Sequence, residues 1–389
     1  KPEGHSRIWL EHPVLTKERW LALQNGSRKI FGAAPSILSA TWSRSSSVGP
    51  IGTKGLSQSE LETALDHLCE QAAQAVRSGA RVIVIADWFE KAKEPVLLNK
   101  NSFAIPSLLA LSAVHQHLVH CGLRLQASLV VATGEARDVH HFACLIGYGA
   151  DAVYPYLLGD LFCALQESGE IPKDFGFAKA ELNFGKAINK GLLKVMSKMG
   201  ISTLQSYCGA QIFEVIGLSS RVVQKYFAGT ASKLEGMGIA EIENEIEGRH
   251  QLANEAMRRI ADSSELKEQV GSSSLTSLSL LPVSGKIHFR SQGESHQWTP
   301  HAIASLQNAT KTNSAKTYQE FSDEVTRNSR QTLRGLLSFK KTRSPISLDQ
   351  VEPATEIMRR FTTGAMSFGA LSQEAHETLA IAMNRIGAK

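Results

Sequence analysis

Arg81-Val-Ile-Val-Ile-Ala-Asp87 is a continuous apolar run closed by an acid. A strand of that composition has to be covered on both faces, which is the condition of a parallel sheet. The residues before it supply the helix such a strand needs. Ser57-Gln-Ser-Glu60 opens an amphipathic stretch with Leu61, Ala64, Leu65, Leu68, Ala72 and Ala75 on one side, ending before Gly79. The same grammar repeats downstream. Pro106 opens a helix through Leu118 and His120, Gly122 stops it, and Leu125-Gln-Ala-Ser-Leu-Val-Val-Ala132 is the next strand. Glu135 to Ile146 is a further helix, ended by Gly147 and Gly149, and Ala150-Asp-Ala-Val-Tyr-Pro-Tyr156 is a short strand. Upstream, Leu15 to Asn25 reads as an entry helix with Thr16 as a cap, followed by a strand at Pro35 to Thr41 and a Ser/Gly-rich loop from Ser43 to Thr53. This alternation predicts the α/β class, as a parallel β/α layer or a barrel-like domain.

A chain of 389 residues exceeds the size at which one hydrophobic core stops growing, so two domains, or one domain and part of another, are expected. With 42% hydrophobic and 20% charged residues the composition is that of an ordinary globular protein, and no window has the apolar length of a membrane span. The first residues, Lys-Pro-Glu-Gly-His-Ser-Arg, do not read as a signal peptide. The 42 Lys+Arg and 37 Asp+Glu are spread along the chain without a basic run or interleaved aromatics, which argues against nucleic acid as a partner. Cys69, Cys121, Cys144, Cys163 and Cys208 are scattered singly, fit a reducing compartment, form no CxxC spacing, and are expected to be small buried hydrophobes.

Beyond these units, Ile239 to Ile260 reads as a charged amphipathic helix, and Ala261 to Pro282 as a Ser-rich surface connection. Lys286 to Trp298 alternates enough for a hairpin around Gln292-Gly293. Pro300 to Asn308 begins a helix, Tyr318 to Leu337 is helical and highly charged, Lys340 to Pro345 is a break, and Val351 to Phe361 is helical. Gly364-Ala-Met-Ser-Phe-Gly-Ala-Leu-Ser372 is a strand and turn of small residues ahead of a helix from Gln373 to Ile386. A β/α unit placed there has no next strand before Lys389, which reads as a cut end.

Four motifs carry possible chemistry. Lys194-Val-Met-Ser-Lys-Met-Gly-Ile-Ser-Thr-Leu-Gln-Ser-Tyr-Cys-Gly-Ala-Gln-Ile-Phe-Glu214 begins as a helical turn with Leu192, Leu193, Val195 and Met196 inward and stops at Gly200. It then runs through a strand-like polar piece to a second helix near Gln211. Taken alone, Ser202, Thr203, Gln205 and Ser206 read as a buried connection whose hydroxyls satisfy local backbone. The turn from Gly364 to Ser372 would let backbone amides approach a flavin or a phosphate, or would simply pack a strand on a helix. His140-His141, read as lying on a helix with Glu135, Arg137 and Asp138, point about 100° apart and cannot chelate one ion from one face, so one is expected to be a core histidine and the other interfacial. Cys208 sits in a polar setting, but no neighbour in sequence supplies the base a nucleophile needs.

The stretch from Lys194 to Glu214 resembles glutamate synthases, as do Gly134 to Tyr156, Ala104 to Leu118, and Gly364 to Ser372 with the following Glu374-Ala-His-Glu-Thr-Leu-Ala-Ile-Ala-Met-Asn-Arg-Ile-Gly387. The resemblance is to the large chain, ferredoxin-dependent or NADPH-dependent, and covers most of residues 8–260 and 318–389. It implies a central domain at 1–262, a connecting segment at 263–348, and at 349–389 the first β/α unit of an incomplete FMN-type β/α barrel. Met366, Ser367, Gly369 and Ser372 would then lie at or beside the FMN pocket. The implied reaction forms glutamate from glutamine and 2-oxoglutarate through a tunnel for ammonia and reduced FMN. The catalytic cysteine of glutamine hydrolysis and the ligands of a 3Fe-4S cluster would lie outside this chain, which by itself would be inactive. Implied partners are the amidotransferase and synthase domains, and ferredoxin or an NADPH-oxidising subunit, in a bacterial cytoplasm or plastid stroma. Two other readings stay open: a free-standing scaffold associating with separate amidotransferase or synthase chains, and a β/α protein binding a flavin or phosphate.

Overall fold

The computed structural model describes residues 8–43, 59–87, 90–91, 94–95, 102–167, 169–262, 288–291, 293–340 and 344–389. The chain falls into two compact units, Lys1–Leu281 and Pro282–Lys389. In the first, helix α1 (Lys17–Phe31) leads to strands β1 (Ser36–Ser39) and β2 (Thr41–Ser43), then α2 (Glu60–Arg77) and β3 (Val82–Ala86). The minimal strands β4 (Glu90–Lys91) and β5 (Glu94–Pro95) pair with each other, and β6 (Ser102–Ala104) pairs antiparallel with β2. The order continues with α3 (Ser107–His120), β7 (Ser128–Ala132), α4 (Val139–Gly147) and β8 (Ala152–Tyr154).

Strands β1, β3, β7 and β8 form a four-stranded parallel sheet in that order, with Ile85 opposite Leu38 on one side and Val131 on the other. All five residues of β3 are buried, as its sequence requires, and they alternate between two cores. Ile83 and Ile85 join Leu129, Val131 and Val153 under the helix layer, where Leu61, Leu65, Leu68 and Ala72 of α2 and Leu111, Val114 and Leu118 of α3 pack. Val82, Val84 and Ala86 join Val130, Ala132 and Ala152 on the opposite face, covered by Leu15 and by Leu23 of α1. The described strands therefore form an open layer covered on both sides, and of the two predicted forms it is the layer that occurs. Each buried Leu or Ile contributes about 2 kcal/mol through the water-excluded area.

Caps explain several boundaries. Thr16 and Ser59 accept from Arg19 N and Glu62 N at the starts of α1 and α2. The helix expected from Glu135 starts only at Val139, because Asp138 takes the N-cap and Glu135 is engaged elsewhere. The strand expected from Leu125 begins at Ser128, after a 3-10 turn at Arg124–Gln126 that leaves Leu125 fully exposed.

Helices α5 (Leu158–Glu167) and α6 (Phe177–Lys198) follow, with Phe162 packed on Phe177. Leu192 and Met196 of α6 are buried, but Leu193 is exposed. Past Gly200 the polar piece is a short helix, α7 (Leu204–Tyr207), capped by Thr203, and not a strand. The second helix expected near Gln211 is instead strand β9 (Glu214–Leu218). Gln211 has φ +55, which stops a helix from starting there, and the Phe213 ring lies against Tyr148 at 5.6 Å, fixing an extended entry. Strand β9 pairs in parallel with β10 (Ala231–Met237) across α8 (Ser220–Tyr226), and α9 (Ile239–Asp262) closes the unit as expected. Glu243 of α9 is buried and accepts from the Ser59 hydroxyl and Leu61 N, fastening α9 to the start of α2.

In the second unit, α10 (Pro300–Thr312) and α11 (Ala315–Asn328) form a hairpin through Asn313 at φ +53. Trp298 packs 5.9 Å from Phe321, and the Glu324 carboxylate accepts from Thr299 and pairs with His301. The hairpin expected between Lys286 and Trp298 is not formed by the described residues there; Phe289 instead meets His296 edge-on at 6.1 Å. Helix α12 (Leu333–Leu336) is one turn, and α13 (Ala354–Met358) is shorter than predicted, starting after Pro353. Helix α14 (Gln373–Ile386) has the predicted limits. The expected loops at Ser43 to Thr53 and Ala261 to Pro282 lie almost entirely outside the described residues.

The amino-terminal edge of the sheet carries a cationic strut. Arg124 donates to His115 Nδ1 at 3.0 Å, to the carbonyls of Ala127 and Gly149 at 2.8 Å, and pairs with Asp151 at 3.4 Å. Gly149 sits at φ +112, and a Cβ there would fall 2.2 Å from His115 Nδ1. Burial first, then the guanidinium, hold the His115 pKa down to about 4. A folded-state value below the ordinary 6.5 means that the unfolded chain takes up this proton first. Stability is therefore expected to be fully present above pH 6.5 and to fall as pH drops towards 4. Urea midpoints measured across that window should drop less in His115→Gln than in the wild type.

Candidate functional site

Side chains converge at the carboxyl-terminal edge of the parallel sheet, where α/β folds place ligand sites. Asp87 follows β3 directly and is 6% exposed. Its Oδ2 accepts from Thr133 Oγ1 at 2.5 Å and Gly134 N at 3.1 Å, both just past β7, and its Oδ1 accepts from Tyr156 Oη at 2.8 Å, just past β8. Thr133 Oγ1 in turn accepts from Glu135 N at 3.0 Å. The Glu135 carboxylate accepts from both the backbone N and the hydroxyl of Ser107 at 2.7 Å, at the first turn of α3. One hydrogen-bonded chain thus runs from β8 through β3 and β7 to α3. Gly134 is needed for close approach, since a Cβ would meet Leu157 Cδ1 at 2.6 Å and Tyr156 Oη at 3.2 Å.

Burial pushes the Asp87 carboxyl above its ordinary value, and the bonds from Thr133, Tyr156 and Gly134 oppose that shift. Burial and the adjacent Asp87 push the Tyr156 phenol up as well, which keeps it a donor. With three neutral donors on the buried carboxylate, the arrangement holds the β7–α4 turn in place rather than moving protons. The sequence reading did not single it out. Its signal was present as polar residues closing the apolar runs, Asp87 and Thr133 directly after β3 and β7 and Tyr156 two residues after β8.

The turn from Gly364 to Ser372 lies in the second unit and is exposed throughout or nearly so, without the expected strand. No neighbouring strand among the described residues gives it a ladder, although Thr363 N donates to Lys389 O and Lys389 N to Phe361 O, at 2.9 and 3.0 Å, in the alternation of a parallel pair. Met366 is 41% exposed, the Ser367 carbonyl accepts from Ala370 N at 3.0 Å, and the Ser372 hydroxyl accepts from Ala375 N as the cap of α14. The place a Cβ would take at Gly369 is open, with no heavy atom within 4 Å. The four residues share one turn ahead of a helix start; Ser372 has its hydroxyl engaged, so backbone groups and open space are what the turn offers a planar or anionic group.

The other motifs resolve structurally. Asp138 Oδ1 accepts from His140 N and His141 N, and His141 Nδ1 accepts from Arg137 N and Asp138 N, closing a capping box. Both histidines sit at the helix start, and neither is in the core, contrary to expectation. Among the described residues no group of three or more His, Cys, Asp or Glu is placed to hold a metal ion. Ser202, Thr203, Gln205 and Ser206 are exposed and not buried; Thr203 caps Ser206 N locally. Of the cysteines only Cys69 is fully buried, while Cys121 and Cys163 are exposed. Burial raises the Cys208 thiol to about 11, the opposite of an activated nucleophile.

Two family models match the chain: one described as the glutamate synthase central domain, over residues 1–219, and one described as a conserved region in glutamate synthase, over residues 296–389. The chain is 42% identical over 330 residues to the glutamate synthase (NADPH) large chain of Bacillus subtilis, covering 85% of this chain and 20% of that protein. It is 38% identical over 397 aligned residues to ferredoxin-dependent glutamate synthase 1, chloroplastic/mitochondrial, of Arabidopsis thaliana, covering 100% of this chain and 22% of that protein. The chain spans about a fifth of the length of these curated relatives. A solved flavocytochrome b2 with sulfite bound overlaps 36% of this chain and 32% of its own at a TM-score of 0.26 and 14% identity. No helix among the described residues is long and apolar enough to cross a membrane.

Thiol reactivity checks the burial of the cysteines. Peptide mapping after brief iodoacetamide treatment of the folded protein near pH 8 should find exposed Cys121 and Cys163 alkylated well before Cys69 and Cys208, whose thiols are raised to about 12 and about 11.

Proposed function

This chain belongs to the glutamate synthase family, and from that premise we propose that it is the central domain and the beginning of the synthase domain of a glutamate synthase large chain. The observation that carries this reading is the order of the two family matches, glutamate synthase central domain at residues 1–219 and a conserved region in glutamate synthase at 296–389, on one polypeptide. In the proposed organisation residues 1–262 are the central domain, 263–348 connect, and 349–389 start the FMN-binding domain.

The whole enzyme hydrolyses glutamine, carries the ammonia internally, condenses it with 2-oxoglutarate, and reduces the resulting imine to glutamate with electrons delivered through FMN. A tunnel is physically required, because ammonia released into water at neutral pH is largely protonated and no longer a nucleophile. The central domain spaces and couples the two reaction centres and forms part of the tunnel wall. FMN supplies the reducing electron pair when bound. Met366, Ser367, Gly369 and Ser372 would border it, the turn's backbone groups and the open position at Gly369 being what it could use. Most FMN contacts and the ligands of a 3Fe-4S cluster belong to parts of the enzyme beyond these residues.

Ferredoxin or an NADPH-oxidising subunit is the proposed electron donor; both kinds of enzyme occur among the relatives by name. The corresponding compartments are a bacterial cytoplasm or a plastid stroma, and no part of the reading calls for nucleic acid or a membrane. The chain by itself is inactive.

The whole enzyme carrying this segment should retain flavin on purification and form glutamate from glutamine and 2-oxoglutarate with a reduced donor; failure of both would sink the assignment. Because a Cβ at Gly369 meets nothing within 4 Å, Gly369→Val should fold normally yet retain several-fold less flavin. Full flavin content in that variant would remove Gly369 from the pocket.

A further inference from the structure

Helix α6 turns one face into the first unit and leaves the other without a counterpart. Gly185, Ile188, Leu192 and Met196 recur every three or four residues and are buried. Gly191 brings the helix close to the start of α4, where a Cβ would fall 2.4 Å from Val139 Cγ2. Lys186, Lys190, Lys194 and Lys198 recur every four residues and are all exposed. At about 100° per residue the lysine stripe is centred about 180° from the buried one, and it runs for about 18 Å along the axis.

An exposed helix face ordinarily interleaves acids with bases, because like charges four residues apart repel each other and opposite charges attract. Here three consecutive pairs at that spacing are Lys–Lys, and residues 182–198 contain no acid. The helix's one carboxylate, Glu181, is turned to Lys17 N at 2.7 Å. Among the described residues none of the four lysines forms an ion pair, although Arg77, Lys225 and Lys233 of the same unit pair with Glu70, Glu62 and Glu214. The fold therefore leaves this repulsion in place, and a row of carboxylates is what relieves it. Leu182 and Leu193, exposed along one margin of the stripe, add the apolar contact that a protein surface offers. A bilayer would need the broad apolar face of α6, which is buried, and the stripe carries no aromatic residue on which a base could stack. The core of a permanent interface is depleted in lysine, whereas a row of mobile ammonium groups speeds the capture of a partner that comes and goes.

We propose that the Lys186–Lys190–Lys194–Lys198 face of α6 is a docking surface for an acidic protein, a separate polypeptide that presents Asp and Glu side chains to the stripe and is held reversibly. The surface stands on α6 alone and does not depend on the reaction assigned above.

The test uses the full-length protein that carries this segment, in extracts of its own cells. A carbodiimide joins a lysine amine to a carboxylate in direct contact, forming an amide while the reagent takes up the water, so peptide mass spectrometry of the product names both residues. At least two of the four lysines should be joined to Asp or Glu of one other chain, in a yield that falls several-fold at about 0.5 M salt. With that partner purified, Lys190→Glu/Lys194→Glu should weaken binding at least about tenfold and Lys190→Arg/Lys194→Arg by less than about twofold. The charge reversal removes like-charged neighbours, so the melting temperature should not fall; if that variant does not fold, Lys190→Gln/Lys194→Gln takes its place, with an expected loss of at least about threefold. Amides formed only with carboxylates of the same polypeptide overturn the proposal, because its own chain then covers the face. Absence of any such bond at the four lysines overturns it too, as does equal binding of the partner by the charge-reversed variant. If the reversal abolishes binding to phosphatidylserine vesicles or duplex DNA and leaves the purified partner's binding intact, the face belongs to another polyanion and the proposal fails.

Discussion

The structure of the first unit depends on β3 being buried on both faces. A strand whose five residues are all apolar cannot leave either side to water, so α2 and α3 cover one side and α1 the other. From this follow the parallel pairing, the long crossovers that parallel strands need, and the collection of the strand ends at one edge. The polar residues that cannot enter the sheet gather at that edge, and Asp87 is the first of them. The site is a consequence of where the apolar run stops.

Legibility followed the range of the interactions. Helix α14 could be bounded to the residue because its signals are local, a Ser372 cap and Gly387 at φ +69. The same holds for α2 between Ser59 and the glycine at 79. Strand β9 was misread as a helix because its start is set by Gln211 in a left-handed conformation and by Phe213 packing on Tyr148, neither of which has a signature in the sequence. The Asp87 network was legible only as polar residues closing the apolar runs; which of them bond to one another was not, since the hydrogen bonds span 46 and 69 residues. The composition of Gly364 to Ser372 suggested a strand, but strand character requires a neighbour, and the backbone bonds to Lys389 are made by Phe361 and Thr363, before the turn.

Chemistry along the chain is correspondingly divided. Of the residues most conspicuous in sequence, His141 closes the capping box at the start of α4, and burial works against reactivity at Cys208. The residues that organise the sheet edge are ordinary in type and unusual only in company. This agrees with the proposal that the reacting groups lie outside this chain.

At Pro13–Leu15 the chain makes an isolated parallel bridge to Val153, then runs through α1 to the far strand β1. Leu15, Leu23 and Trp20 of this segment pack on β3, β7, β8 and the Tyr154 ring, all of which lie later in the sequence. Translation therefore delivers α1 to the ribosome exit long before its docking surface exists. An apolar helix face waits, unsatisfied, while well over a hundred further residues are made, which makes the nascent segment around α1 a natural client for chaperones that shield emerging chains.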